Sequence, residues 1–179
     1  MKVEPQKKID ISVEILNSMN KVDSADLCNI TEQAINAGGG FGWLKAPQRS
    51  ILTKYWQGVT LIQNRKLIVG RLNKAIAGTL QIFFQPTNNE VQQNIFNITS
   101  FFVAPWARGY GLAKAMIDKA ENIGLEYGAN CAQLDVRETQ EAAIQLFKSK
   151  GYMQWGINPN YAEVAGKSIK GLFFYKKIK

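Results

Sequence analysis

The chain has 179 residues, 46% of them hydrophobic and 20% charged, enough for one domain with a substantial core. Lys and Arg outnumber Asp and Glu by 22 to 14, giving a net charge of +8, and histidine is absent. That absence excludes Ser-His-Asp and Cys-His catalysis and the common His-based zinc sites, so proton transfer falls to carboxylate, tyrosine, lysine, cysteine, water or backbone. The positive balance favours an anionic partner. No run of five like charges occurs, however, so it points to a phosphorylated small ligand or to solubility rather than to nucleic acid. No apolar stretch approaches the roughly 18 residues of a membrane span, and MKVEPQKKID has no apolar centre of the secretory kind. The two cysteines, Cys28 and Cys131, show no metal-ligand spacing and suit a reducing compartment. The expectation is a cytoplasmic protein with neither membrane partner nor metal.

Taken in chain order, residues 1–9 read as a tail and 10–179 as one domain. DISVEIL (10–16) predicts a strand. From Ser24, a plausible cap, to Ala37, the apolar Leu27, Ile30 and Ala34 recur at helical spacing. AGGGFG breaks that helix. Pro47 can open a second helix with Ile51, Leu52, Tyr55 and Trp56 on one stripe. KLIVGRL (66–72) and AIAGTLQIFF (75–84) read as strands joined by the two-residue turn Asn73-Lys74. IFNITSFFV (95–103) is β-branched and aromatic, as a central strand should be. Residues 110–128 predict a helix with Leu112, Met116, Ile123 and Tyr127 inward. CAQLDVR (131–137) predicts a strand, and 139–150 a helix with Ala143, Leu146 and Phe147 inward. YMQWGI (152–157) and GLFFYKKI (171–178) close the chain as strands around a 158–170 loop. The fold class is therefore α/β with a mixed sheet.

One segment between the central strand and its following helix, VAPWARGYGLAKAM (103–116), carries chemistry. Gly109 and Gly111 lack Cβ atoms, so successive backbone N–H groups can turn into a concavity. The next helix presents its unpaired N–H groups and positive dipole end to the same place, and Arg108 can add charge-assisted bonds. A pyrophosphate is the natural occupant. The dinucleotide pattern G-x-G-x-x-G/A fails at Lys114, and the P-loop pattern G-x4-G-K-[ST] is absent. R/Q-x-x-G-x-G/A is present as Arg108, Gly111 and Ala113.

That last pattern resembles the coenzyme A loop of the GNAT family, the Gcn5-related N-acetyltransferases. LDVRETQEAAIQLFKSKGY (134–152) is similar to the family's second half-motif at the usual separation. The resemblance covers residues 10–178. It implies one mixed, mostly antiparallel sheet of about seven strands, splayed between strands 4 and 5 and flanked by about four helices. GGGFGWLKAP, AGTLQIFFQP and the tail GINPNYAEVAGKSIKGLFFYKKI are in addition similar to the branch that contains the tabtoxin-resistance acetyltransferases.

The resemblance implies acetyl-CoA as co-substrate and direct attack of an acceptor amine on its thioester, with no metal. It assigns the cofactor to Phe101, Phe102 and Val103 through their backbone and to Arg108, Gly109, Tyr110, Gly111, Leu112 and Ala113 around the pyrophosphate. Gln140 stands where the family often has asparagine, and Phe147 where it often has the tyrosine that protonates the departing thiolate. A phenyl ring cannot donate a proton. Tyr110, Tyr152 and Tyr161 are the substitutes, with Tyr161 of NPNYA chosen. The usual glutamate position is Ile95, and a carboxylate position two residues on is Asn97. This leaves Asp135 as the base, unless it pairs structurally with Arg137 or Lys148. Trp43, Tyr55 and Trp56 can wall an acceptor pocket or belong to the core, and Asn97 lies on the substrate side. Three readings stay open: acetylation of a small primary amine, acetylation of a protein N-terminus, and non-catalytic binding of acyl-CoA. Family members often form homodimers, and a dimer is among the expectations.

Overall fold

The structure is a computed structural model and describes residues 9–39 and 41–179. The expected tail over 1–9 falls outside those residues except for Ile9, as does Gly40 of the glycine break.

Among the described residues seven strands form one sheet: β1 (Ile11–Ile15), β2 (Arg65–Leu72), β3 (Ala75–Phe84), β4 (Ile95–Val103), β5 (Cys131–Arg137), β6 (Met153–Val164) and β7 (Lys167–Lys177), in the spatial order β1-β2-β3-β4-β5-β7-β6. Every neighbouring pair is antiparallel except β4–β5. The helices are α1 (Lys21–Asn36), α2 (Arg49–Val59), α3 (Leu112–Glu126) and α4 (Glu141–Ser149). The α1–α2 pair packs on one face of the sheet and α3 on the other. This is the α/β architecture that the resemblance implies.

The strand patterns explain the layering. β2 and β3 are buried on both faces and read as near-continuous apolar runs. Trp56, Leu27 and Leu52 fill the α1–α2 side, and Met116, Ile117 and Ile123 the α3 side, all of them fully buried. Each such side chain contributes about 1.5–3 kcal/mol relative to exposure. Trp56 also donates its indole N–H to Thr31 Oγ1 at 3.1 Å, so it belongs to the core and walls no pocket.

Several boundaries differ from expectation for identifiable reasons. Asn20, rather than Ser24, caps α1, its side chain accepting from the Asp23 amide at 2.9 Å. α2 begins at Arg49, two residues beyond Pro47. α3 begins at Leu112 because Gly109 and Gly111 are left-handed, with φ of +86° and +80°. Tyr127 is not on the inward stripe of α3; it lies just past the helix and stacks on Phe84 with ring centroids 4.9 Å apart. Ile51 is exposed. The turn at Asn73-Lys74 forms as expected, both residues having positive φ.

The largest difference is at the C-terminal end, where the expected 158–170 loop is absent. β6 and β7 pair along its length and reverse at Ala165-Gly166, with φ of +50° and +74°. Pro159 and its flanking asparagines read as breakers. β6, however, is the sheet's edge, where proline costs no ladder bond, and the register slips between Asn158 and Ala162. Tyr161 is thus a strand residue.

Candidate active site

The sheet comes apart in one place. Parallel pairing of β4 with β5 runs from Ile95↔Cys131 to Ile98↔Leu134 and then stops. Beyond that point β4 follows β3, with Phe102 against Thr79 and Val103 against Gly78, while β5 follows β7 as far as Arg137↔Gly171. Ser100, at φ +49°, lies between, where the β3–β4 register also slips. The irregularity bends β4 away and leaves its β5-facing edge unpaired. A cleft of about 700 Å³ fills the wedge. Its lining includes Phe101, Phe102, Val103, Arg108, Ala113, Asp135, Gln140, Phe147 and Tyr161.

At one end of the cleft the backbone is ready for an anion. Gly111, the residue before α3, offers no side-chain cap, and the first turn of α3 holds no acidic residue. Among the described residues, the amides of Gly109, Tyr110 and Gly111 have no hydrogen-bond acceptor. Orphan N–H groups of this kind at a helix start form an anion site, and the residues therefore fit a coenzyme A pyrophosphate. Gly109, Tyr110, Gly111 and Leu112 do not line the cleft with their side chains. Leu112 is buried in the core, so what it can offer a ligand is its amide.

At the other end, side chains converge. Asp135 alternates with the buried Leu134 and projects from the opposite face. Tyr161 donates its hydroxyl proton to Asp135 Oδ2, so the two residues expected to act in catalysis are in contact. Neither Arg137 nor Lys148 pairs with Asp135: Arg137 donates instead to the Gly39 carbonyl at 2.7 Å. Partial burial, the bond to Asp135 and its negative charge push the Tyr161 phenol up to about 12, with Arg137 opposing. The phenol is neutral at any ordinary pH and can serve as a donor.

Sequence reasoning did not identify Gly171 as part of this arrangement. A Cβ there would lie 2.3 Å from carbons of the Tyr161 ring, so the ring packs on β7 only because residue 171 is glycine. The sequence carried no signal for it, because Gly171 was read as the first residue of the closing strand, after a loop.

Gln140 lines the cleft but donates to the Gly38 carbonyl at 2.9 Å, tying the end of α1 to the start of α4. Phe147 is buried edge-on between Phe101 and Tyr152, with ring centroids 5.6 and 5.2 Å away. Tyr152 therefore sits behind Phe147 and off the cleft, and burial pushes its phenol well up. Tyr110 is exposed.

Trp43, Tyr55 and Asn97 do not line the cleft. Trp43 stacks on Phe41 at 5.2 Å, Tyr55 meets Phe41 edge-on at 5.6 Å, and Phe41 meets the cleft residue Phe102 at 5.7 Å. Asn97 sits on β4 between Phe83 and Gln133. Among the described residues no group of three or more Cys, Asp or Glu is placed to hold a metal, and no helix is long and apolar enough to cross a membrane.

The fold and cleft define an acyl-CoA-dependent transferase, and comparison with known proteins agrees. The model of the acetyltransferase (GNAT) family matches residues 30–152. An uncharacterized N-acetyltransferase from the hisH-hisA intergenic region of Azospirillum brasilense is 43% identical over 131 residues, covering 73% of this chain and 78% of that protein. Among solved structures, yncA of Salmonella typhimurium with its cofactor acetyl-CoA superposes with a TM-score of 0.75 at 14% identity, covering 94% of each chain. The ribosomal-protein-alanine N-acetyltransferase of Brucella melitensis gives 0.77 at 14% identity, covering 93% of this chain and 99% of that one. The chain belongs to the GNAT family and is an N-acetyltransferase.

Proposed function

We propose that the protein transfers the acetyl group of acetyl-CoA to the primary amine of a small molecule. The observation that carries this reading is the cleft itself, with unpaired backbone amides at one end and the Asp135–Tyr161 pair at the other. The pyrophosphate of the donor lies on the amides of residues 109–113, beside Arg108. The pantetheine arm runs along the free edge of β4 at Phe101–Val103, and the Val103 amide faces the acetyl carbonyl. In the reaction the amine nitrogen forms a bond to that carbonyl carbon, the carbon–sulfur bond breaks, and coenzyme A leaves as thiolate.

The acceptor arrives as an ammonium ion, with a pKa near 10 for an alkylamine, and must lose a proton before attack. Asp135 accepts that proton directly or through water, while Tyr161 fixes its orientation and occupies one carboxylate oxygen. Phe147 supplies no proton to the departing thiolate. A thiol with a pKa of about 8.5 leaves without one and is protonated by water or by the product side.

The acceptor side favours a small molecule over a peptide. Arg137 and Gln140 tie Gly39 and Gly38, which line the cleft, to its far wall, and β6 and β7 pair where a loop was expected. The test is release of coenzyme A thiol from acetyl-CoA with a panel of small primary amines and of peptides with free N-termini. Amine-dependent release is expected with the small amines. Release with peptides alone selects the protein N-terminal reading, and binding without release selects the non-catalytic one.

A further inference from the structure

The face of the sheet that carries Asp135 continues past the cleft, and the reaction as described uses only its margin. α1 and α2 cover that face over β2, β3 and part of β4. On β7 and β6 it carries apolar side chains that solvent still reaches. Phe173 on β7 stands directly opposite Asp135, so the two side chains project to the same side as close neighbours. Phe173 is half-buried, whereas Trp155 and Met153 on β6 are 61% and 54% exposed. An open apolar cluster beside a reaction centre marks a surface that binds something.

The register of β6 shapes this surface into a notch over the Phe173 ring. An irregularity between Gln154 and Gly156 sets both Trp155 and Gly156 against Phe173. Trp155 turns its ring edge-on to Phe173, with centroids 5.7 Å apart. Further along β7 the Tyr161 ring sits on Gly171 and meets Phe173 edge-on at 6.1 Å. Gly156 contributes no side chain to the space between. A Cβ there would lie 3.8 Å from the Phe173 Cβ, at ordinary contact distance, so the place beside the ring is open because residue 156 is glycine. Three rings therefore bound an apolar slot, and the hydroxyl of one of them is bonded to Asp135.

Distance decides what fits. Neighbouring strands lie about 4.8 Å apart, so Phe173 is one strand and Trp155 two strands, about 10 Å, from Asp135. The wedge for the cofactor opens on the other side of Asp135, between β5 and β4. An amine that meets the thioester beside Asp135 thus has its substituent directed over β7. We propose that the notch over Phe173 holds the apolar part of the acceptor, so that the substrate is an amine joined by a short linker to an aromatic or other flat apolar group. Phe173 supplies the floor, Trp155 and Tyr161 the walls, and offset or edge-on contact between rings adds to the area buried.

This inference rests on the small-amine reading, and the experiment separates the two. Coenzyme A release is measured for ethylamine, phenethylamine and tryptamine, which share one linker, with wild-type protein, Gly156→Leu and Trp155→Ala. Acetyl-CoA affinity is measured on each variant as the check of folding. Wild-type protein should show kcat/KM about 10- to 100-fold higher for the ring-bearing amines than for ethylamine, the gain for burying one ring. The difference should lie in KM. Gly156→Leu, which fills the notch, should abolish most of that ratio, and Trp155→Ala, which removes one wall, should lower it by less. If wild-type protein shows no preference for the ring, or if both variants keep the wild-type ratio, the inference is overturned while the small-amine reading stands. A stable dimer in sedimentation that Trp155→Ala dissociates would assign the face to a second copy of the chain and overturn the inference as well. If neither these amines nor any other small amine is acetylated, the small-amine reading itself fails and the inference falls with it.

Discussion

The two ends of the cleft are built from different materials. The end proposed for the cofactor is backbone: orphan amides before and within the first turn of α3, and a strand edge freed by the irregularity at Ser100. The end proposed for the acceptor is made of side chains, Asp135 bonded by Tyr161 and the Tyr161 ring packed on the bare backbone at Gly171. A backbone site tolerates many residues and asks only for glycine where the chain must turn left-handed. A side-chain site can change its substrate with a few substitutions while the fold stays as it is.

If that division is right, substitutions at the two ends fail differently. The largest expected effect is at the acceptor end. Asp135→Asn should lower kcat/KM about 100-fold or more, the usual reach of a general base, while acetyl-CoA affinity measured by calorimetry holds. An unchanged rate and an unchanged pH–rate profile would remove Asp135 as the base. At the cofactor end, Gly111→Val forces a β-branched residue to φ +80°. The strain of about 1–3 kcal/mol can be relieved only by rotating the amides away. Acetyl-CoA should then bind about 10- to 100-fold more weakly, and tight binding to this variant would contradict the cradle.

A smaller effect sharpens the boundary between the ends. Phe147→Tyr restores a hydroxyl where the family often has one, and kcat should rise by about 2- to 10-fold. A flat result means that thiolate protonation does not limit the reaction. The smallest effect concerns stability. The Tyr161 phenol sits at about 12 against an ordinary 10, so between those values the folded protein binds more protons than the unfolded chain. The stabilisation is present below pH 10 and is lost as the pH rises towards 12. Thermal melts should therefore show wild-type protein losing more stability than Tyr161→Phe across that interval, with Tyr152 contributing equally to both.

The same division explains what could be read in advance. The glycine loop before α3 was legible because Gly109, Gly111 and the helix start obey a local backbone rule, and the strands at 75–84, 95–103 and 131–137 were legible as apolar, β-branched and aromatic runs. The β6–β7 hairpin was not, because the penalty for Pro159 depends on whether its strand lies at an edge, which is a property of the assembled sheet. Asp135 was reached through the family resemblance, with strand alternation in support, and Tyr161 was chosen without geometry; that the two are bonded follows only from the hairpin that packs Tyr161 on Gly171. Trp56 was open between pocket wall and core, and its full burial and bond to Thr31 decide for the core.

The most direct test of a backbone cradle facing a side-chain acceptor site is a titration of the ¹⁵N-labelled protein, following amide resonances as acetyl-CoA and then a small primary amine are added. Acetyl-CoA should move the amides of Gly109–Ala113 and Phe101–Val103 most, and the amine should then move those around Thr99, Asp135 and Tyr161. Acetyl-CoA binding that leaves residues 109–113 unmoved would contradict the account.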